Sequence, residues 1–205
     1  MRPRSEVWWI GIALGANLVL AAVILIIAGS GAHGTLLALA ATARAAFLWF
    51  IAAYTAGSLV ALFGPMFLPL KLLGRELGLA FAAALSVHLA LVSWLCWIGE
   101  APGIGVFLFF GPVAVLIYVL ATLSFGDLHT ILGHRRWKLV RVFGMNIILY
   151  AFFRDFMKSP LHGGIWHVVE YLPFVAMTIT APLLRLAAGI VRARETKLRS
   201  LSARW

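Results

Sequence analysis

The side chain best suited to chemistry is His88, an imidazole inside the apolar stretch 73–97. An ionisable group in a membrane-length apolar segment is costly to bury and is a functional hypothesis by default. Small residues precede it at Gly78, Ala80 and 82–84, and they allow a flat ring or a neighbouring helix to come close. Two interpretations remain open: an axial haem ligand, or a polar residue hydrogen-bonded to another helix.

The elements that must position His88 are membrane helices. The chain has 205 residues, of which 63% are hydrophobic and only 12% charged. A soluble domain needs roughly a quarter of charged residues. Windows of roughly 20 apolar residues predict an all-α integral membrane protein, a single-domain six-transmembrane-helix bundle. The six windows are 7–28, 36–63, 73–98, 104–123, 139–157 and 165–189.

The charge pattern predicts the orientation of these helices. With the N-terminus inside, the inner segments hold fourteen of the seventeen basic residues and leave only Arg44, Arg154 and Lys158 elsewhere. This asymmetry predicts that both termini are cytoplasmic, in a bacterial inner membrane. It also accounts for the net charge of +10 without a nucleic-acid partner. The basic tail 190–205 is expected either to lie on the anionic lipids of the inner leaflet as an interfacial helix or to be disordered.

Two short motifs carry a resemblance to a known family. Residues 75–79 read R-E-L-G-L before the membrane histidine, and residues 132–138 read L-G-H-R-R-W-K before the fifth span. Over about 35–185 the chain resembles the ferric reductase-like transmembrane domain. Its layout is similar to that of the haem-binding membrane subunit of the methionine sulfoxide reductase system. The resemblance implies haem b between the third and fifth spans, held by histidines on both.

The chain departs from that pattern on the fifth span. The two positions that carry haem-ligating histidines in the family are Arg141 and Arg154 here. A guanidinium has no lone pair for iron. Met157 lies one turn beyond Arg154, so a His88–Met157 haem is one alternative. Arg44 on the second span would then contact a haem propionate, or would otherwise be an interfacial arginine.

The remaining candidates are weaker. His162, His167 and Glu170 cluster near the predicted outer surface, although their spacing matches no defined metal site. His129 and His134 fall in a basic inner loop, where solvated side chains are expected. The single cysteine, Cys96, rules out an intrachain disulfide and is expected to be a small apolar core residue.

These observations lead to two functional expectations. The first is a haem-deficient structural or accessory subunit of a larger respiratory or photosynthetic membrane complex, because both fifth-span positions have lost their histidines. The second is an electron-transfer subunit with haem b on His88, passing electrons outward from quinol or a flavoprotein. The first function implies other membrane-protein subunits as partners. The second also requires a partner, because no extra-membrane segment is long enough to form a reductase domain.

Overall fold

A computed structural model describes residues 3–125, 130, 132–158 and 165–202. In these ranges the chain is helical and contains no strand. The elements that are described from end to end follow each other in the order α1 Pro3–Ala28, α2 Ala32–Phe63, a 3₁₀ turn Pro65–Phe67, α3 Leu68–Leu72, α4 Gly74–Trp97, α5 Ile104–Ser124, α6 His134–Lys158 and α7 Ile165–Ser202. The all-α prediction is confirmed for this part of the chain.

Five of the described helices are long and apolar enough to cross a bilayer. They cover Glu6–Ala28, Ala32–Phe63, Gly74–Trp97, Ile104–Ser124 and His167–Glu195. The fifth predicted window, 139–157, is helical as α6, but its charge-free part is only the twelve residues 142–153. Those residues extend about 18 Å, against a hydrocarbon core of about 30 Å. The crossing of the membrane by α6, which would bring the number of spans from five to six, therefore stays a prediction.

The α1–α2 connection is tighter than the sequence suggested. Gly29 has φ of +84°, a left-handed conformation that favours glycine, and α2 begins at Ala32 rather than at the predicted residue 36. A Cβ on Gly34 would overlap the carbonyl oxygen of Gly29. Two glycines thus permit the abrupt reversal that makes α1 and α2 an antiparallel hairpin.

The chain divides into two compact units. The first consists of Met1–Phe50 and Arg75–Phe152, and so contains α1, the first part of α2, α4, α5 and most of α6. In this unit the Ser86 hydroxyl on α4 lies 2.9 Å from the Tyr118 hydroxyl on α5. The backbone of α6 comes close to α5 at Gly144, where an added Cβ would lie 2.7 Å from the Leu120 side chain.

The second unit consists of Ile51–Gly74 and Phe153–Trp205. Its described part contains the end of α2, the 3₁₀ turn, α3, the last residues of α6, and α7. Phe156 packs against Tyr171 and Phe174 of α7, with ring centroids 6.2 and 5.3 Å apart. The predicted tail is helical over residues 190–202, as a continuation of α7.

Candidate functional site

α4 is the best-covered helix of the first unit, and it carries His88. Of the residues in its apolar window, 50% are buried, compared with 6% of those in the α5 window. Both ends of α4 contact the α1–α2 hairpin. Arg75 forms an ion pair with Glu6 at 3.0 Å, and the indole N–H of Trp94 donates to the Ser30 carbonyl at 3.1 Å. These contacts set α4 parallel to α1 and antiparallel to α2.

Between its ends α4 packs on the hairpin through small and branched side chains. Ala21 of α1, Ala38 of α2, and Val87 and Leu91 of α4 form one buried cluster. The two alanines allow the backbones of the hairpin to approach closely. Because the hairpin is antiparallel, residue 17, four before Ala21, lies level with residue 42, four after Ala38.

The imidazole of His88 contacts Thr42 on α2. Its Nδ1 lies 3.3 Å from Oγ1 of Thr42, and the backbone of Leu39 is a further hydrogen-bond partner. The Thr42 hydroxyl donates to the Ala38 carbonyl at 2.8 Å, so toward His88 its oxygen accepts. With the Thr42 hydroxyl in this orientation, the neutral tautomer that fits the contact has the proton on Nδ1 of His88 and the lone pair on Nε2.

Asn17 adds a third polar side chain at this level. It is 1% exposed, and its Nδ2 donates to the Ala13 carbonyl at 3.1 Å. Its Oδ1 is buried and accepts no hydrogen bond from any described residue. Asn17, Thr42 and His88, on three different helices, form what we call the polar layer. Buried polar groups of this kind usually have hydrogen-bond partners.

Next to this layer, the core of the first unit is filled by phenyl rings. Phe47 and Phe50 of α2, Phe81 of α4 and Phe152 of α6 form the phenylalanine cluster, with centroid separations from 5.0 to 6.4 Å. Phe47 and Phe50 are 0% and 2% exposed. These tilted aromatic pairs join the three helices over well-packed apolar surface.

The phenylalanine cluster also places His88 relative to α6 within this unit. Phe81 contacts Phe152, the last α6 residue of the unit, at 6.0 Å. His88 follows Phe81 by seven residues, which is about 10 Å further along α4. The polar side chain that contacts His88 is Thr42 on α2, the second span. The resemblance instead places haem ligands on the fifth span.

The predicted fifth-span residues do not supply an imidazole or another nitrogen ligand. Arg141 is exposed near the start of α6, and Arg154 is exposed beside Asp155, with which it interacts electrostatically. Met157 is half-buried. Arg154 and Met157 belong to the second unit, so the predicted His88–Met157 haem stays a prediction. The described residues do not fit a bis-histidine haem, because a guanidinium cannot ligate iron.

Arg44 lies in the first half of α2, as the sequence interpretation expected. It is half-buried twelve residues into α2, about 18 Å from the start of that helix. Because α2 extends about 48 Å, longer than a hydrocarbon core of about 30 Å, this position is compatible with an arginine whose side chain reaches the interface. The predicted propionate contact has no further support among the described contacts and stays a prediction.

The other candidates form no site within the described residues. No group of three or more His, Cys, Asp or Glu side chains there could hold a metal ion. His167 stacks on Tyr171 with centroids 6.3 Å apart, while His129 and His162 lie outside the described residues. Cys96 is a half-buried free thiol.

Sequence reasoning missed Asn17, Thr42 and the phenylalanine cluster. Asn17 and Thr42 are single polar residues within apolar windows, and a count of apolar residues does not reveal them. A usable signal was present, since Asn17 lies between Ala13 and Ala21 and Thr42 between Ala38 and Ala46, all at four-residue spacing. Small residues at that spacing mark a close helix contact.

No family model, curated protein or solved structure matches this chain.

Proposed function

We propose that this chain is a haem-deficient structural or accessory subunit of a larger respiratory or photosynthetic complex in a bacterial inner membrane. The single observation that carries this proposal is the contact of His88 with Thr42. The imidazole acts there as a hydrogen-bonding side chain between α4 and α2. Such interhelical contacts orient membrane helices and contribute modestly to their stability.

The packing of the first unit supports a structural role. The phenylalanine cluster brings α2, α4 and α6 into direct aromatic contact, and Ala21 and Ala38 bring α1 and α2 close together. In the proposed resemblance to the ferric reductase-like family, Arg141 and Arg154 take the positions of histidines. We propose that the chain shares that family's fold while using its interior for packing.

The exposed surfaces of α5 and α6 support the existence of partner subunits. Only 6% of the α5 window is buried within the chain. On α6, Asn146 and Tyr150 are both exposed inside the charge-free segment 142–153, and Asn146 donates to the Val142 carbonyl of its own helix. Exposed amide and phenol groups in a membrane segment are better accommodated by a neighbouring helix than by lipid tails.

The charge distribution supports six crossings with cytoplasmic termini. Arg141 and Arg154 bracket the apolar part of α6, and both are exposed. Their long side chains would reach toward opposite interfaces and extend the short apolar segment. With α6 crossing, the basic tail of α7 returns to the same side as Arg2 and Arg4, in agreement with the positive-inside rule.

A second function is favoured by the contact of His88 Nδ1 with the Thr42 oxygen. An Nδ1–H group that donates to an oxygen acceptor leaves Nε2 able to ligate a metal, which is the usual arrangement of ligating histidines. The alternative is therefore a transmembrane electron-transfer subunit of an oxidoreductase with haem b on His88. It would receive electrons from quinol or a flavoprotein and pass them to an acceptor at the outer face.

An absorption spectrum of the purified protein tests the two functions. We expect no Soret band, either as isolated or after dithionite, in a preparation that is helical and monodisperse. A Soret band that shifts on reduction, disappears in His88→Ala and persists in His134→Ala would establish the haem function instead. His134→Ala is the matched control, because His134 is exposed at the first residue of α6.

The subunit role requires a separate measurement. Purification from native membranes in a mild detergent is expected to yield a stoichiometric complex with other membrane proteins. Replacement of Asn146 by leucine should reduce the yield of that complex, whereas Leu139→Ala on the same helix should not. A chain that purifies alone under every mild condition would contradict the accessory-subunit proposal.

A further inference from the structure

One side of α6 faces away from the first unit. Gly144 and Ile148 are buried on the inner side of the helix. Asn146 lies two residues from each of them, about 200° around the helix, so it projects from the opposite side. Val142 and Tyr150 are about one turn before and after Asn146, and they are 42% and 58% exposed. Val142, Asn146 and Tyr150 follow each other at four-residue spacing, and we call them the Asn146 row.

The amide of Asn146 is the polar group at the middle of this row. Its Nδ2 donates to the Val142 carbonyl of the same helix at 2.8 Å. A carboxamide has two N–H donors and a carbonyl oxygen with two lone pairs, so this bond uses only part of its capacity. Lipid tails provide neither donors nor acceptors. An exposed amide in the charge-free segment 142–153 therefore favours a neighbouring helix that carries both.

The neighbouring helix α5 fixes one end of the row. The ring of Tyr150 meets the ring of Phe109 edge-on, with centroids 6.3 Å apart and planes at 67°. The phenol ring nevertheless remains 58% exposed. Tyr150 is thus held in place by its own chain while it presents surface to a further helix. An interface that is ordered before binding loses less conformational entropy when it forms.

The orientation of membrane proteins decides how two copies of α6 would meet. Copies of one chain insert with the same orientation. A two-fold axis between them is therefore perpendicular to the membrane, and their α6 helices run in the same direction. Where such helices cross, each residue meets its own counterpart, so the contact must be complementary to itself. Asparagine meets this condition, because each amide can donate an N–H to the carbonyl oxygen of the other.

We propose that the Asn146 row binds a second copy of this chain, with the two α6 helices crossing at Asn146 and their amides hydrogen-bonded to each other. Rows at four-residue spacing pack at crossing angles of about 40° to 50°. The helices then diverge on both sides of Asn146. Arg141 and Arg154, about 8 and 12 Å from Asn146 along α6, separate from their counterparts. The inference rests on the accessory-subunit function and on α6 as a span, because it names the occupant of the same exposed surface.

The oligomeric state of the full chain, produced without other subunits, tests this inference. In a mild detergent we expect a dimer by native mass spectrometry. Asn146→Leu should weaken dimerisation roughly tenfold, because the amide pair is lost while the segment stays apolar. Asn146→Gln keeps an amide and should keep the dimer. Thr122→Val removes a polar group from the exposed surface of α5 and should behave like the wild type.

Cysteine cross-linking tests the location of the contact in the native membrane. In a Cys96→Ser background, Val142→Cys places a thiol in the row and leaves Asn146 intact. Mild oxidation should link two copies through this position. Val115→Cys is the matched control, because Val115 is an equally apolar residue, 64% exposed on α5. It should give no linked dimer. This measurement does not depend on the folding of Asn146→Leu.

The outcomes separate this inference from the accessory-subunit function. A chain that is monomeric when produced alone but assembles with other membrane proteins would overturn the second copy and leave the accessory function intact. A dimer linked through position 142 that purifies from native membranes without other subunits would support the second copy and contradict the accessory function. A dimer that is unchanged in Asn146→Leu, or cross-linking that is equal at position 115, would overturn the Asn146 row as the contact.

Discussion

At the scale of single residues, the polar layer explains how an apolar bundle tolerates an imidazole. Nδ1 of His88 lies 3.3 Å from Oγ1 of Thr42, and the Thr42 hydroxyl donates to the Ala38 carbonyl. His88 could be singled out from the sequence because an ionisable group interrupts an apolar run. Its partner Thr42 could not be singled out in this way, because one threonine changes the mean hydropathy of a window very little.

The contact between His88 and Thr42 can be measured by a double-mutant cycle. Thr42→Val keeps the shape of the side chain but removes the acceptor, and His88→Leu removes the donor. We expect a coupling free energy of about 0.6 to 1.7 kcal/mol, the range found for interhelical hydrogen bonds in membranes. The free energy of unfolding in mixed detergent micelles, followed by circular dichroism, provides the measurement.

Thr180→Val is the matched control for this cycle. Thr180 is exposed, and its hydroxyl donates within its own helix to the Ala176 carbonyl at 2.9 Å. Its combination with His88→Leu should be additive within about 0.5 kcal/mol. A Thr42–His88 coupling free energy no larger than that of the Thr180–His88 control would mean that the observed contact does not stabilise the bundle.

At the scale of helices, α6 has two opposite faces with different roles. Phe152 packs in the phenylalanine cluster, whereas Phe143 is 70% exposed on the same helix. The helices themselves could be predicted from apolar runs, because a bilayer requires every backbone group to be bonded within its segment. Which face of each helix is packed could not be predicted, because lipid-facing and core-facing residues of a membrane helix are both apolar and leave no periodic signal.

Phe152→Ala should therefore be far more destabilising than Phe143→Ala. Removing the ring of Phe152 leaves a cavity among Phe47, Phe50 and Phe81, and the expected loss is about 2 to 4 kcal/mol. At Phe143 lipid tails would fill the space, so we expect a change below about 1 kcal/mol. Equal effects of the two substitutions on the free energy of unfolding would show that the cluster is not a packed core.

At the scale of the whole molecule, the number of membrane crossings depends on α6. Composition alone was sufficient to predict a helical membrane protein, and the five apolar helices agree with that. Only twelve charge-free residues of α6 separate Arg141 from Arg154. Its crossing depends on how far two arginine side chains extend toward the interfaces, which a count of apolar residues does not capture.

The single native cysteine makes this topology directly testable. In a Cys96→Ser background, new cysteines at three exposed positions, Met66, Ala101 and Glu195, would be labelled with a membrane-impermeant maleimide on intact spheroplasts. With six crossings and an inner N-terminus, only the cysteine at position 101 should react before the membrane is opened. If α6 did not cross, α7 would end outside and position 195 would react as well. In the reversed orientation, positions 66 and 195 would react and position 101 would not, so each topology gives a distinct labelling pattern.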